Sequence, residues 1–102
     1  SNLSLSQNER KQMVNEEQLK QVNFNEKKEL FYQKLGKALR LERIRNGKTQ
    51  SQVGKVANVT FQQIQKYEKA KNECGEYRAR KIVESYGRRY EDFLNEYDVH
   101  TS

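Results

Sequence analysis

The stretch from Thr49 to Asn72 holds five glutamines and four lysines but few large aliphatic side chains. An amide side chain presents a donor and an acceptor side by side and makes no covalent bond in catalysis. The chemistry on offer is recognition by hydrogen bonds and charge. The chain has one cysteine, Cys74, and one histidine, His100. They supply no intramolecular disulfide, no CxxC zinc site and no Ser/His/Asp or Cys/His nucleophile. The expectation is a non-enzyme with neither cofactor nor metal.

At 102 residues the chain is long enough for one small domain and some extra chain. With 33% hydrophobic and 33% charged residues its core must be thin, which favours help from oligomerisation. The net charge is +6 and the pI about 9.5. Residues 1–30 carry five basic and five acidic side chains and are neutral. Residues 31–89 carry fifteen Lys/Arg against five acids, before Glu91, Asp92, Glu96 and Asp98 subtract four. A positive excess confined to one region points to a polyanionic partner, with a solvated basic surface as the plain alternative. A membrane partner fits poorly. No apolar run approaches the roughly 20 residues of a span, no basic n-region precedes an apolar stretch at the start, and the cations do not border an exposed apolar face. The expected location is the cytoplasm.

Proline is absent, and no strand-like alternation persists, so the elements that position these residues are expected to be all-α. Residues 1–25 read as a polar arm or marginal helix. Ser6 and Glu9 form a capping-box pattern there, while Met13, Val14, Leu19 and Val22 are too few for an apolar stripe. A first helix is predicted from Glu26 to Asn46, with Leu30, Phe31, Leu35, Ala38, Leu39 and Ile44 as its stripe and Gly47 as its left-handed cap. Thr49 caps a short second helix with Val53, Val56 and Ala57 inward. Asn58 makes the turn, and Thr60 caps a third helix carrying Phe61, Ile64 and Tyr67. A fourth helix, about Glu76 to Tyr86, carries Ala79, Ile82, Val83 and Tyr86 and stops at Gly87. A fifth, about Tyr90 to Tyr97, presents Tyr90, Phe93, Leu94 and Tyr97. The domain is expected over 26–97, followed by a disordered tail, 98–102.

Two short helices joined by a turn of about three residues make a helix-turn-helix, whose second helix can enter the DNA major groove. The pattern "LGKALRLERIRNGKTQSQVGKVANVTFQQIQKYEKAKN" and the two helices after it resemble the lambda-repressor-like (Cro/C1, XRE-type) DNA-binding domain over about Leu35 to Leu94. The family's Thr/Ser-Gln opening is matched by Thr49-Gln50, its Leu-Ala pair by Val53-Gly54 and its turn Gly-Val by Asn58-Val59. Its capping Ser/Thr is matched by Thr60, its inward Ile by Ile64 and its closing Glu by Glu68. Three positions depart from it. Gly54 stands for Ala and Asn58 for Gly, both physically mild. Ala70 stands for the Gly that follows the recognition helix, where alanine disfavours the left-handed conformation.

The resemblance implies a five-helix fold and assigns roles. Gln50, at the positive end of the second helix, contacts a phosphate with the help of backbone amides, and Thr49, Thr60 and Gln63 are further expected phosphate contacts. Phe61, Gln62, Gln65 and Lys66 are the base-contacting candidates. Gln can pair in bidentate fashion with adenine, and an aromatic ring can pack on a thymine methyl. Gln62 and Lys66, four apart, form the best same-face pair, with Gln65 and Gln63 also readable as phosphate or solvent contacts. Lys69, Lys71 and Asn72 follow as phosphate contacts. For Gln50 and the lysines the alternative is solvation, and for Phe61 it is packing under the first helix. Arg43 and Glu68 match a pair that bridges helices one and three in some members. Arg78, Arg80, Lys81, Arg88 and Arg89 form a second basic cluster or a solvated face.

The expected function is sequence-specific regulation of transcription on double-stranded DNA, by a dimeric repressor of bacterial or phage type. Tyr90, Phe93, Leu94 and Tyr97 are the first-choice dimer interface and the arm from Met13 to Val22 the second. The alternative is an antitoxin-like module that binds a partner protein and autoregulates through the same helices.

Overall fold

The computed structural model describes residues 16–100, and five α-helices account for most of them. α1 spans Glu16–Arg45, α2 Gln50–Ala57, α3 Phe61–Glu68, α4 Glu76–Glu84 and α5 Tyr90–Glu96. Among the described residues there is no strand, and the all-helical expectation holds.

Local chemistry sets the boundaries. Gly47 takes φ 66° after α1, and the Lys48 amide turns back to donate to the Arg43 carbonyl at 3.1 Å. Thr49 Oγ1 accepts from the Gln52 amide at 3.1 Å while Gln52 Oε1 accepts from the Thr49 amide at 2.8 Å. This reciprocal box satisfies two donors that a helix start otherwise leaves open. Asn58 takes φ 58° at the end of α2, a conformation its short polar side chain tolerates. Thr60 Oγ1 then accepts from the Gln63 amide at 3.2 Å and starts α3. Gly87, at φ 78°, closes the turn after α4.

One core joins all five helices. Leu35, Ala38 and Leu39 of α1 meet Val53 and Ala57 of α2, Ile64 and Tyr67 of α3, Ala79, Ile82 and Val83 of α4, and Tyr90 and Phe93 of α5, all buried. Two glycines set how closely the helices approach. A Cβ on Gly36 would stand 2.4 Å from the Tyr67 carbonyl oxygen, so α1 and α3 touch through backbone. One on Gly54 would stand 2.7 Å from the Val59 oxygen. The Gly54 departure is therefore more than mild: in this packing the turn occupies the space an alanine methyl would need.

Several expectations are corrected. α1 is already helical at Glu16, ten residues before the expected Glu26, since neither Gly nor Pro interrupts the chain between them. Ser6, Glu9, Met13 and Val14 lie outside the described residues, as do the side chains of Leu19 and Val22 and the last two residues of the tail. Leu30 and Ile44 are half exposed, because at about 100° per residue both fall well off the Leu35/Ala38/Leu39 seam. The tail does not begin at 98. Asp98 takes φ 55°, the Val99 amide donates to the Leu94 carbonyl at 2.8 Å, and Val99 and Cys74 complete the core.

Two residues of the expected dimer surface are also corrected. Tyr90 and Phe93 are buried in the protomer itself, and Leu94 and Tyr97 pack partly buried against the same core. The reason is a polar lock the sequence reading missed. Glu42, 2% exposed, accepts a hydrogen bond from Tyr97 Oη at 2.8 Å, with Arg88 Nε 3.5 Å away. Arg45 and Arg88 both bind Glu96. This network draws α5 onto α1, so its aromatic face is used internally.

Candidate nucleic-acid interface

α3 buries Ile64, Tyr67 and Glu68 and turns Phe61, Gln62, Gln65 and Lys66 outward, with Lys69 exposed just after it. At about 100° per residue, Gln62, Lys66 and Lys69 fall within about 60° of one another, opposite the buried side. Gln63 lies half-buried at the edge of that face. Phe61 is 47% exposed, so packing under α1 does not account for it.

Behind this face, one carboxylate ties three helices. Glu68 accepts from Arg43 of α1 through Nε at 2.7 Å and Nη2 at 3.0 Å, and from Gln50 Nε2 of α2 at 3.1 Å. Arg43 Nη1 also donates to the Lys48 carbonyl at 3.0 Å, holding the loop before α2. The bond to Glu68 raises the Arg43 pKa above its ordinary value, so this guanidinium stays charged. A buried pair of this kind adds little net stability, since desolvation offsets the Coulomb gain, but it fixes orientation. It sets how α3 projects. It also anchors Gln50, whose amide nitrogen gives one N–H to Glu68 and keeps a second for another acceptor.

In front of Gln50 lies an open groove of about 470 Å³ lined by Arg40, Arg43, Lys48, Thr49, Gln50, Gln65, Glu68 and Lys69. The start of α2 opens onto it, and a helix start favours anions. Arg40 and Lys48 were not singled out from sequence. The available signal was Arg40 three residues before Arg43, on a neighbouring face of the same helix. Among the described residues Arg40, Lys48, Lys55, Lys66, Lys69 and Lys71 have no carboxylate partner. Lys71 and Asn72 are exposed beyond α3.

Ala70 takes φ 57°, the left-handed conformation that alanine disfavours. The strain has a return: the Lys71 amide donates to the Lys66 carbonyl at 2.8 Å, which closes α3 and brings Lys69 and Lys71 round its end. The second basic cluster differs. Arg80 lies within reach of Glu76, Glu84 and Glu91 and over the Tyr90 ring, and Arg88 binds Glu42 and Glu96. Among the described residues no group of three or more His, Cys, Asp or Glu could hold a metal ion, and no helix is long and apolar enough to cross a membrane.

Two capped short helices around an Asn58 turn, the second presenting a polar outward face, define a helix-turn-helix DNA-binding domain. A protein-family model described as Helix-turn-helix matches residues 39–93, more than half of the chain, and the protein belongs to this family, of the Cro/C1, XRE-like type. Comparison with curated proteins gives no significant match, nor does comparison with solved structures. The protein is thus a DNA-binding helix-turn-helix regulator.

Proposed function

We propose that this protein is a sequence-specific repressor of transcription that binds duplex DNA as a dimer, with α3 in the major groove and the groove before α2 on the phosphate backbone. It would act on DNA in the cytoplasm of a bacterial or phage-infected cell. The observation that carries this reading is the split of roles on one surface. Gln62 and Lys66 stand outward on α3 with no fixed internal partner, whereas Gln50 is held by Glu68 with an N–H to spare. A free side chain can match a base edge, and an anchored one suits a uniform backbone. Phe61 and Gln65 flank the base-reading pair. Thr49, Thr60, Gln63, Lys69, Lys71 and Asn72 form the surrounding phosphate ring.

Selection of bound sites from random duplexes should yield a two-fold consensus. Against that site, Gln62→Ala should lose discrimination at one position of each half-site, by about 1–3 kcal/mol, while binding to random DNA stays nearly constant. Gln50→Ala should weaken all sequences alike. Equal weakening of every duplex by Gln62→Ala would refute the assignment of the reading face.

A further inference from the structure

The first part of α1 is an overhang. α1 runs for 30 residues, yet the core draws on it only from Leu35, with Phe31 and Tyr32 packed at the edge. Phe24 lies beyond that edge and is 61% exposed. At about 100° per residue it falls on the same side of α1 as Phe31, Leu35, Ala38 and Glu42, so the face that builds the core continues outward past the body. Phe24, Lys27, Lys28, Phe31, Tyr32 and Glu73 line an open hollow of about 440 Å³ at that point. A dozen residues of helix without Ala, with Asn23 and Asn25 inside it, have little stability alone in water.

We infer that this overhang is the seat of a second copy of the chain, the two α1 helices crossing antiparallel close to Phe24; the inference rests on the dimeric reading above. Charge favours a like partner over DNA. From Glu16 to Leu30 the helix carries Lys20, Lys27 and Lys28 against Glu16, Glu17, Glu26 and Glu29, so it lacks the positive excess of the α2–α3 surface. With a net charge of only −1 over this segment, two copies of it repel each other little. In the single chain Lys28 meets Glu73 at 3.2 Å, an exposed pair at the edge of the hollow that opens at little cost.

The span agrees as well. Gly36, where α1 touches α3, lies twelve residues from Phe24, about 18 Å at about 1.5 Å per residue. Two such arms meeting at Phe24 set the two α3 contacts about 36 Å apart along the helices. Successive half-sites on one face of a duplex are about 34–36 Å apart. The overhang thus has the length to span between two recognition helices.

Sedimentation of the full chain and of Phe24→Glu tests the idea, alongside binding to a two-fold site and to a single half-site. The substitution should raise the dimer dissociation constant at least tenfold and weaken the two-fold site. Half-site binding, and the thermal transition measured below the wild-type dimer dissociation constant, should stay unchanged, because Phe24 lies outside the core. A photo-crosslinker at position 24 should give a product of twice the chain mass. If the wild type is dimeric and Phe24→Glu leaves that dimer intact, or if the crosslink forms within one chain to residues 1–15, this surface is wrong while the dimeric reading stands. A wild type that is monomeric at high concentration and on DNA overturns both.

Discussion

Residues 46–72 and 73–98 carry the same number of cations, five each, yet their charges meet different fates. The first stretch has one carboxylate, Glu68, and it is buried against Arg43. The second has seven, and Arg80 and Arg88 are bound by several of them. A polyanion competes for the lysines of the first region against water alone. It would have to displace carboxylates from those arginines of the second. Basic residues mark a nucleic-acid surface only where the fold keeps acids out of reach, and counting them along the chain does not reveal this.

The same contrast separates two uses of an ion pair. The Arg45–Glu96 and Arg88–Glu96 pairs reach the surface, where solvent weakens them, and each guanidinium holds the Glu96 pKa below the usual carboxylate range. The Arg43–Glu68 pair is nearly sealed, with side chains 13% and 4% exposed. Its removal is the most damaging way to test the division. Glu68→Ala leaves Arg43 charged and uncompensated inside the helix-turn-helix, and chemical denaturation should show a loss of about 3 kcal/mol or more. Glu96→Ala should cost far less. Similar losses for the two would mean that burial does not separate these pairs.

Salt dependence sharpens the comparison at an intermediate scale. Each phosphate neutralised by a lysine adds about 0.9 to the slope of log affinity against log salt on duplex DNA. Lys69→Gln should lower the slope by about that amount, whereas Arg80→Gln should leave it unchanged. A drop with Arg80→Gln would show that the second region also touches the backbone.

The smallest expected effect lies at the junction of the two regions. Ala70→Gly should relieve the left-handed strain and stabilise the fold by roughly 0.5–1 kcal/mol, the gain being limited by the greater freedom of glycine in the unfolded chain. A thermal melt detects a change of that size. Lower stability would mean that the Ala70 methyl, which is half-buried, contributes more through packing than its backbone costs.

Much of the helix-turn-helix was legible from sequence because its signals are local. Thr49 and Thr60 cap, Gly47 and Asn58 turn left-handed, and Val53, Ala57, Ile64 and Tyr67 point inward, since each depends on residues within about one turn of helix. The outward side of Gln62 and Lys66 follows from the same periodicity. What only tertiary structure decided were relations between distant residues. Tyr90 and Phe93 have the pattern of an interface and become core because Glu42, 55 residues before Tyr97, accepts its hydroxyl. Gly36 and Gly54 look like weak helix positions and prove to be points of backbone contact. Val99 follows a left-handed Asp98 back into the core. Local hydrogen bonds and side-chain period are written within a few residues of sequence, whereas burial depends on which surfaces the folded chain sets against each other.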